Sequence, residues 1–183
     1  VKLVPTLLEG AYVIEPQVHG DARGFFMESW NKHKLAAAGI HADFTQDNHS
    51  RSIRSVLRGL HYQAGDAAQG KLVRAARGSV FDVIVDLRRS SPTFGRWHGE
   101  VLSEENQRQI WVPPGFAHGF LVLSESADFL YKVTGRWQPE AERTLAWNDA
   151  EVGVSWPLEG RSPILSEKDR TLGRSLRDAE AFP

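Results

Sequence analysis

Pro113-Pro114-Gly115-Phe116-Ala117-His118-Gly119-Phe120 is the stretch from which the chain is best read. Two prolines fix the backbone and withhold sheet donors, and Gly115 supplies a corner, so the segment reads as a turn feeding a strand that His118 enters. Working outward, Ser79–Leu87 is the clearest strand: Val80, Asp82, Ile84 and Asp86 share one face, and Phe81, Val83, Val85 and Leu87 the other. Lys71–Ala76, Gly99–Leu102, Gln109–Val112, Gly119–Leu123 and Ala127–Gly135 are further candidates, separated by Gly, Pro and Ser. Many short strands at this spacing predict a sandwich or barrel.

Before Arg54 the chain offers two short extended pieces, Ala11–Pro16 and Gly24–Ser29, and one helix, Lys32–Ala38, capped by Asn31 and stopped by Gly39. After Trp156 it is polar and irregular, with a helical turn expected near Lys168–Arg177. A length of 183 residues predicts one domain, 1–183, with a real core. A formal net charge of -1 argues against a nucleic-acid surface. No apolar run approaches the roughly 20 residues that span a bilayer. The absence of cysteine excludes disulfides, thiolate metal sites and cysteine nucleophiles. No signal peptide is read, the start at Val1 leaves room for a few preceding residues, and a cytoplasmic protein is the simplest class. Six Trp and nine Phe suit a barrel core, a stacking platform or a subunit interface.

Arg54-Ser55-Val56-Leu57-Arg58-Gly59-Leu60-His61-Tyr62-Gln63 reads as a strand with polar residues where a core strand would be apolar, and Lys71 opens the next one. His61 and Lys71 on neighbouring strands suggest a lined cavity. Strict alternation puts Arg58 and His61 on opposite faces, so both reach one cavity only if a bulge or bend at Gly59 breaks it. Taken singly, Arg23, Arg54, Arg58 and Arg74 read as arginines pointing to water.

The P-x-G-x-x-H-x-F pattern of 113–120 resembles an element of the cupin barrel. This implies an all-β, cupin-type double-stranded β-helix, a jelly-roll barrel with a few short flanking helices. Metal cupins usually offer an H-x-H pair and a Glu before the next histidine. Here the pair reads His61-Tyr62-Gln63, and no Glu stands at the usual spacing before Lys71. His61 and His118 fall short of the three ligands a catalytic metal needs, so the residues favour a metal-free site. Without metal, proton chemistry is expected: a neutral histidine as base, a lysine beside the oxyanion, and Tyr131 either as an acid from another strand or as core.

Ordered motifs then extend nearly end to end: Gly20-Asp21-Ala22-Arg23-Gly24-Phe25-Phe26, Phe44-Thr45-Gln46-Asp47-Asn48-His49-Ser50, Val56–Gln63, Gln69-Gly70-Lys71-Leu72-Val73-Arg74, Ser91-Pro92-Thr93-Phe94-Gly95, Gly115–Phe120, Leu130-Tyr131-Lys132 and Leu165-Ser166-Glu167-Lys168-Asp169. Together they resemble the dTDP-4-dehydrorhamnose 3,5-epimerase family of dTDP-L-rhamnose synthesis. The resemblance implies a dTDP-4-dehydro-6-deoxy-D-glucose substrate, with His61 as base, Asp169 as its carboxylate partner, Lys71 at the enolate oxygen and Tyr131 as acid on the opposite sugar face. It implies no cofactor.

The same resemblance places Arg23 and Arg58 at the pyrophosphate, Glu28, Gln46, Asp47 and Asn48 around the nucleotide, and His118, Glu142 and Lys168 among further substrate contacts. Phe26 and Trp137 become stacking partners for thymine. The family often has Tyr at the position of Trp137, so the ring is kept and a phenol hydrogen bond given up. A homodimer is implied, with exchange of N-terminal strands that carries Arg23, Phe26 and Glu28 to the neighbour. The rival readings are a single-carbon 3- or 5-epimerase, a 3,4-ketoisomerase, a metal-dependent dioxygenase and a non-catalytic nucleotide-sugar-binding cupin.

Overall fold

A computed structural model describes residues 1–183. Thirteen strands and two short helices follow in the order β1 Lys2–Pro5, β2 Tyr12–Glu15, β3 Val18–Asp21, β4 Gly24–Met27, α1 Lys32–Ala37, β5 Phe44–Ile53, β6 Leu57–Gln63, β7 Lys71–Arg77, β8 Ser79–Asp86, β9 Trp97–Ser103, β10 Gln109–Val112, β11 Phe116–Val122, β12 Ser126–Thr134, β13 Glu142–Thr144 and α2 Glu167–Thr171. Two antiparallel sheets face each other, one in the order β1-β2-β10-β7-β12-β5 and the other β13-β6-β11-β8-β9. This is the expected cupin-type jelly roll.

Side-chain alternation sorts the core. Val73, Ala75, Ile110, Val112, Ala127 and Phe129 of the six-stranded sheet meet Val80, Ile84, Leu102, Phe116, Phe120 and Val122 of the five-stranded sheet in the barrel interior. Phe81, Val83 and Val85 of β8, with Leu60, Tyr62 and Ala117, form a second core on the outer face of the five-stranded sheet, covered by Leu145, Val152, Leu176 and Ala179. Burial of both faces explains why β8 reads as a nearly unbroken apolar run. On the outer face of the six-stranded sheet, Leu35 and Ile40 pack on Ile14, Leu72 and Trp111, which seats α1. Asn31 caps that helix by accepting from the Lys34 amide at 3.1 Å.

Three expectations change. The strand expected over 54–63 starts at Leu57, because Ser55 turns with φ of +66°. The C-terminal helical turn is confined to Glu167–Thr171. A ten-residue strand, β5, occupies a stretch that sequence alone left unassigned. The hairpin β3–β4 forms a sheet of its own, apart from both layers, with Phe25 and Phe26 60% and 72% exposed. No helix is long and apolar enough to cross a membrane.

The anticipated break at Gly59 is present. Along β6 and β11, His61 pairs with His118 and Arg58 with Phe120, so two residues of β6, Gly59 and Leu60, stand against the single Gly119. This extra residue is a β-bulge, and it turns Arg58 to the same side as His61. Both glycines are required. A Cβ on Gly59 (φ +128°) would lie 2.6 Å from the Gly119 Cα, and one on Gly119 would lie 2.4 Å from the Arg58 carbonyl oxygen.

Candidate active site

One cavity opens between the two sheets. Arg58, His61, His118 and Glu142 line it from the five-stranded sheet, Asn48, Lys71, Phe129 and Tyr131 from the six-stranded sheet, and Trp137 from the segment joining β12 to β13. His61 and Tyr131 therefore stand on opposite walls. Lys71, at the start of β7, reaches across, and its ammonium donates to the His61 carbonyl at 3.2 Å.

His61 Nε2 is hydrogen-bonded to Asp169 Oδ1. The imidazole is about one-third exposed, while the Asp169 side chain is almost wholly buried. Helix α2 delivers the carboxylate: Ser166 caps it by accepting from the Asp169 amide at 3.1 Å, which fixes Asp169 in the first turn. Burial pushes the Asp169 carboxyl up. Hydrogen bonds from His61, Ser166 and the Gly59 backbone outweigh that and hold it below the usual carboxylate range. An ionised carboxylate on one imidazole nitrogen orients the ring and stabilises the imidazolium that forms when the other nitrogen takes a proton.

Burial lowers the Lys71 ammonium to about 8, with Asp82 and Glu142 opposing the shift. At neutral pH it stays largely charged, which puts a buried positive charge on the cavity wall beside His61. Burial also raises the Tyr131 phenol, with Arg58 opposing and Glu142 adding. Tyr131 is thus kept protonated, a donor in waiting. His118 is buried and hydrogen-bonded through Nε2 to Asp82 Oδ2 at 2.8 Å. Burial holds its imidazole below the ordinary value despite that partner. Phe129 stacks on Phe120 at 4.2 Å and on His118 at 6.0 Å, forming an apolar floor.

Not every expected residue enters this cavity. Gln46 and Asn48 share a face of β5 and are bonded to each other at 2.8 Å, but of the two only Asn48 lines the cavity, and Asp47 points outward and pairs with Lys132 at 2.7 Å. Neighbours along a strand alternate, so Asp47 stands on the other side of β5 from Gln46 and Asn48. Lys168 reaches the rim through Glu142, at 2.5 Å. Arg23 sits on the β3–β4 hairpin with its side chain 90% exposed, bonded only to Asp21, and with Phe26 it lines a separate surface hollow. Glu28 is tied to Lys34 and Asn31. These three are outside the chain's own cavity. Of the loosely read arginines, Arg58 lines the cavity and Arg74 a shallow groove on the outer face of the six-stranded sheet.

Two contributors escaped the sequence reading. Asp82 was visible as an acid in an apolar strand, and its pairing with His118 follows only from the register of β8 with β11. Gln63 was weighed as a missing metal ligand; its amide instead bonds main-chain groups at Ala67, Arg136 and Gln138. No trio of His, Asp and Glu side chains is grouped to hold a metal ion.

Comparison with known proteins agrees with this geometry. The family model described as dTDP-4-dehydrorhamnose 3,5-epimerase matches residues 5–177. The chain is 61% identical over 172 residues to the dTDP-4-dehydrorhamnose 3,5-epimerase of Pseudomonas aeruginosa, covering 93% of each. It is 52% identical over 168 residues to that of Salmonella typhimurium, covering 91% of each. Its fold superposes with a TM-score of 0.94 on the crystal structure of a dTDP-6-deoxy-D-glucose-3,5-epimerase from Legionella pneumophila in complex with dTDP-4-keto-L-rhamnose. That match is at 48% identity and covers 100% of this chain and 97% of the other. With a matching model along nearly its whole length, and a histidine facing a tyrosine across the barrel, the chain belongs to the dTDP-4-dehydrorhamnose 3,5-epimerase family of isomerases.

Proposed function

We propose that the chain epimerises dTDP-4-dehydro-6-deoxy-D-glucose at C3 and C5, giving dTDP-4-dehydro-L-rhamnose, through its single domain 1–183. The observation that carries this reading is the placement of His61 and Tyr131 on opposite walls of one cavity, with Lys71 beside them. The C4 ketone acidifies the hydrogens on its two neighbouring carbons. His61 removes one, Asp169 balances the imidazolium, and the electron pair moves into the ketone to give an enolate facing Lys71. Tyr131 then returns a proton from the other side, inverting that carbon. The imidazolium and phenolate reset through solvent, and the cycle repeats at the second carbon.

In this reading Arg58 faces the pyrophosphate, where a guanidinium fork suits phosphate oxygens. Trp137 offers a stacking face to thymine, and Gln46, Asn48, His118, Glu142 and Lys168 surround the remainder of the ligand. Arg23, Phe26 and Glu28 serve a neighbouring subunit in a homodimer that works in the cytoplasm. A hairpin detached from both sheets, with two largely exposed phenylalanines, supports that assignment.

Proton NMR in heavy water, with a coupled reductase to trap the product, tests the reaction. Deuterium at both C3 and C5 of an L-configured product is expected. Deuterium and inversion at one carbon alone would make the chain a single-carbon epimerase, and no incorporation at all would leave a binding protein.

A further inference from the structure

We infer that Gln63 is a positioning residue for the nucleotide base, acting through Trp137; this rests on the reading of Trp137 as the stacking ring. Gln63 closes β6 and is only 5% exposed. Its Nε2 donates to the Ala67 carbonyl at 2.8 Å and to the Arg136 carbonyl at 3.2 Å, and its Oε1 accepts from the Gln138 amide at 2.6 Å. Two of these three partners are the main-chain groups immediately before and after Trp137. One planar amide therefore brackets the residue and ties its loop to the loop at Ala67.

The bracket matters because the ring has little else to place it. Trp137 is 56% exposed and follows Gly135, which turns with φ of +66°. An exposed ring on a loop gains little placement from packing, so its position at the cavity mouth comes from its main chain. A loop ordered in advance spares the ligand the cost of ordering it on binding. The amide at position 63 is thus a fixed clip under the surface on which a flat heterocycle would rest, and it occupies the place where a metal-binding barrel would carry a second imidazole.

The test pairs Gln63→Met with Trp137→Ala, using dTDP as the probe. Calorimetry is expected to show dTDP affinity about tenfold weaker in Gln63→Met, from loss of a buried three-bond clip. KM rises in step, and kcat at saturation moves far less. Gln63→Glu keeps the shape and the acceptor for Gln138 but loses both donors, so it shifts affinity in the same direction and serves should Gln63→Met fold poorly. In a Trp137→Ala background the Gln63 substitution is expected to add less than about twofold, because coupled residues are not additive. A full-sized additional penalty in that background overturns the inference, as does a loss confined to kcat. Unchanged dTDP affinity in Trp137→Ala alone removes the stacking reading and the inference with it, whereas a weakened Trp137→Ala beside an unaffected Gln63→Met removes the inference only.

Discussion

The cavity and the β3–β4 hairpin treat their polar side chains in opposite ways. Inside the barrel, His61 has Asp169 behind it, His118 has Asp82, and Lys71 is pinned to the His61 carbonyl. On the hairpin, Arg23 bonds only to its neighbour Asp21, and Phe26 stands in solvent. The groups proposed to move protons are assembled within one chain and held in place, whereas those proposed to grip the nucleotide from outside wait for something to close over. Chemistry needs fixed geometry and suppressed water, which a barrel interior supplies. Charge recognition tolerates an exposed arm.

Substitutions can break this contrast, and the largest effects belong to the interior. His61→Ala is expected to reduce turnover about a thousandfold or more and to abolish solvent-deuterium incorporation at C3 and at C5. Retained exchange at either carbon would mean that a second base exists. Tyr131→Phe should cost about a hundredfold in epimerisation while leaving proton exchange, since abstraction and return would then use one face. A variant that inverts at the normal rate removes Tyr131 from the role of acid.

Lys71 makes a prediction in pH. Burial disfavours the charged form, so its ammonium titrates at about 8. Below that pH the positive charge faces the enolate, and above it the charge is lost. The kcat/KM profile should therefore fall on the alkaline side, by about tenfold per unit well beyond the midpoint. Lys71→Gln should be slow throughout and lack that limb. An unchanged limb in Lys71→Gln would assign it to another group.

The smallest effect belongs to the hairpin. Arg23→Ala should weaken dTDP binding about tenfold by calorimetry, through loss of a charged hydrogen bond to phosphate, and leave kcat near its starting value. A mixed dimer of Arg23→Ala and His61→Ala chains sharpens the point. If hairpins cross between subunits, both defects fall in one site, and the other site keeps an ordinary KM. If each hairpin serves its own cavity, no normal site remains.

How far the sequence discloses all this depends on where each strand's two faces point. β8 is legible because it is buried on both faces and apolar but for Ser79, Asp82 and Asp86, and β10 is read to its ends, Gln109–Val112. β5 is illegible for the opposite reason. Its inner face, with Asn48 and Ser50, borders the cavity, and on its outer face Asp47 and Arg51 are paired to Lys132 and Asp128. Neither face is apolar, so no period of two survives in hydrophobicity. The same blindness hid the outward turn of Asp47, since a motif records neighbours in sequence without their sides. The bulge at Gly59 was legible as a condition: Arg58 and His61, an odd number apart, could share a cavity only if the alternation broke between them, and Gly59 offered the break. Asp82 needed the partner strand's register, which no local pattern carries.

Asp169 has one more consequence, which concerns time. Strand β13 ends at Thr144, and the carboxylate that backs His61 arrives only later, on α2. A ribosome makes the N-terminal end first, so all thirteen strands exist as polymer before Asp169 is joined. A nascent or truncated chain that stops after β13 carries the proposed base, His61, without its carboxylate partner, and it also lacks Leu176 and Ala179, which cover the outer face of the five-stranded sheet. The Asp169 partner of His61 is therefore added only after every strand of the barrel has been made.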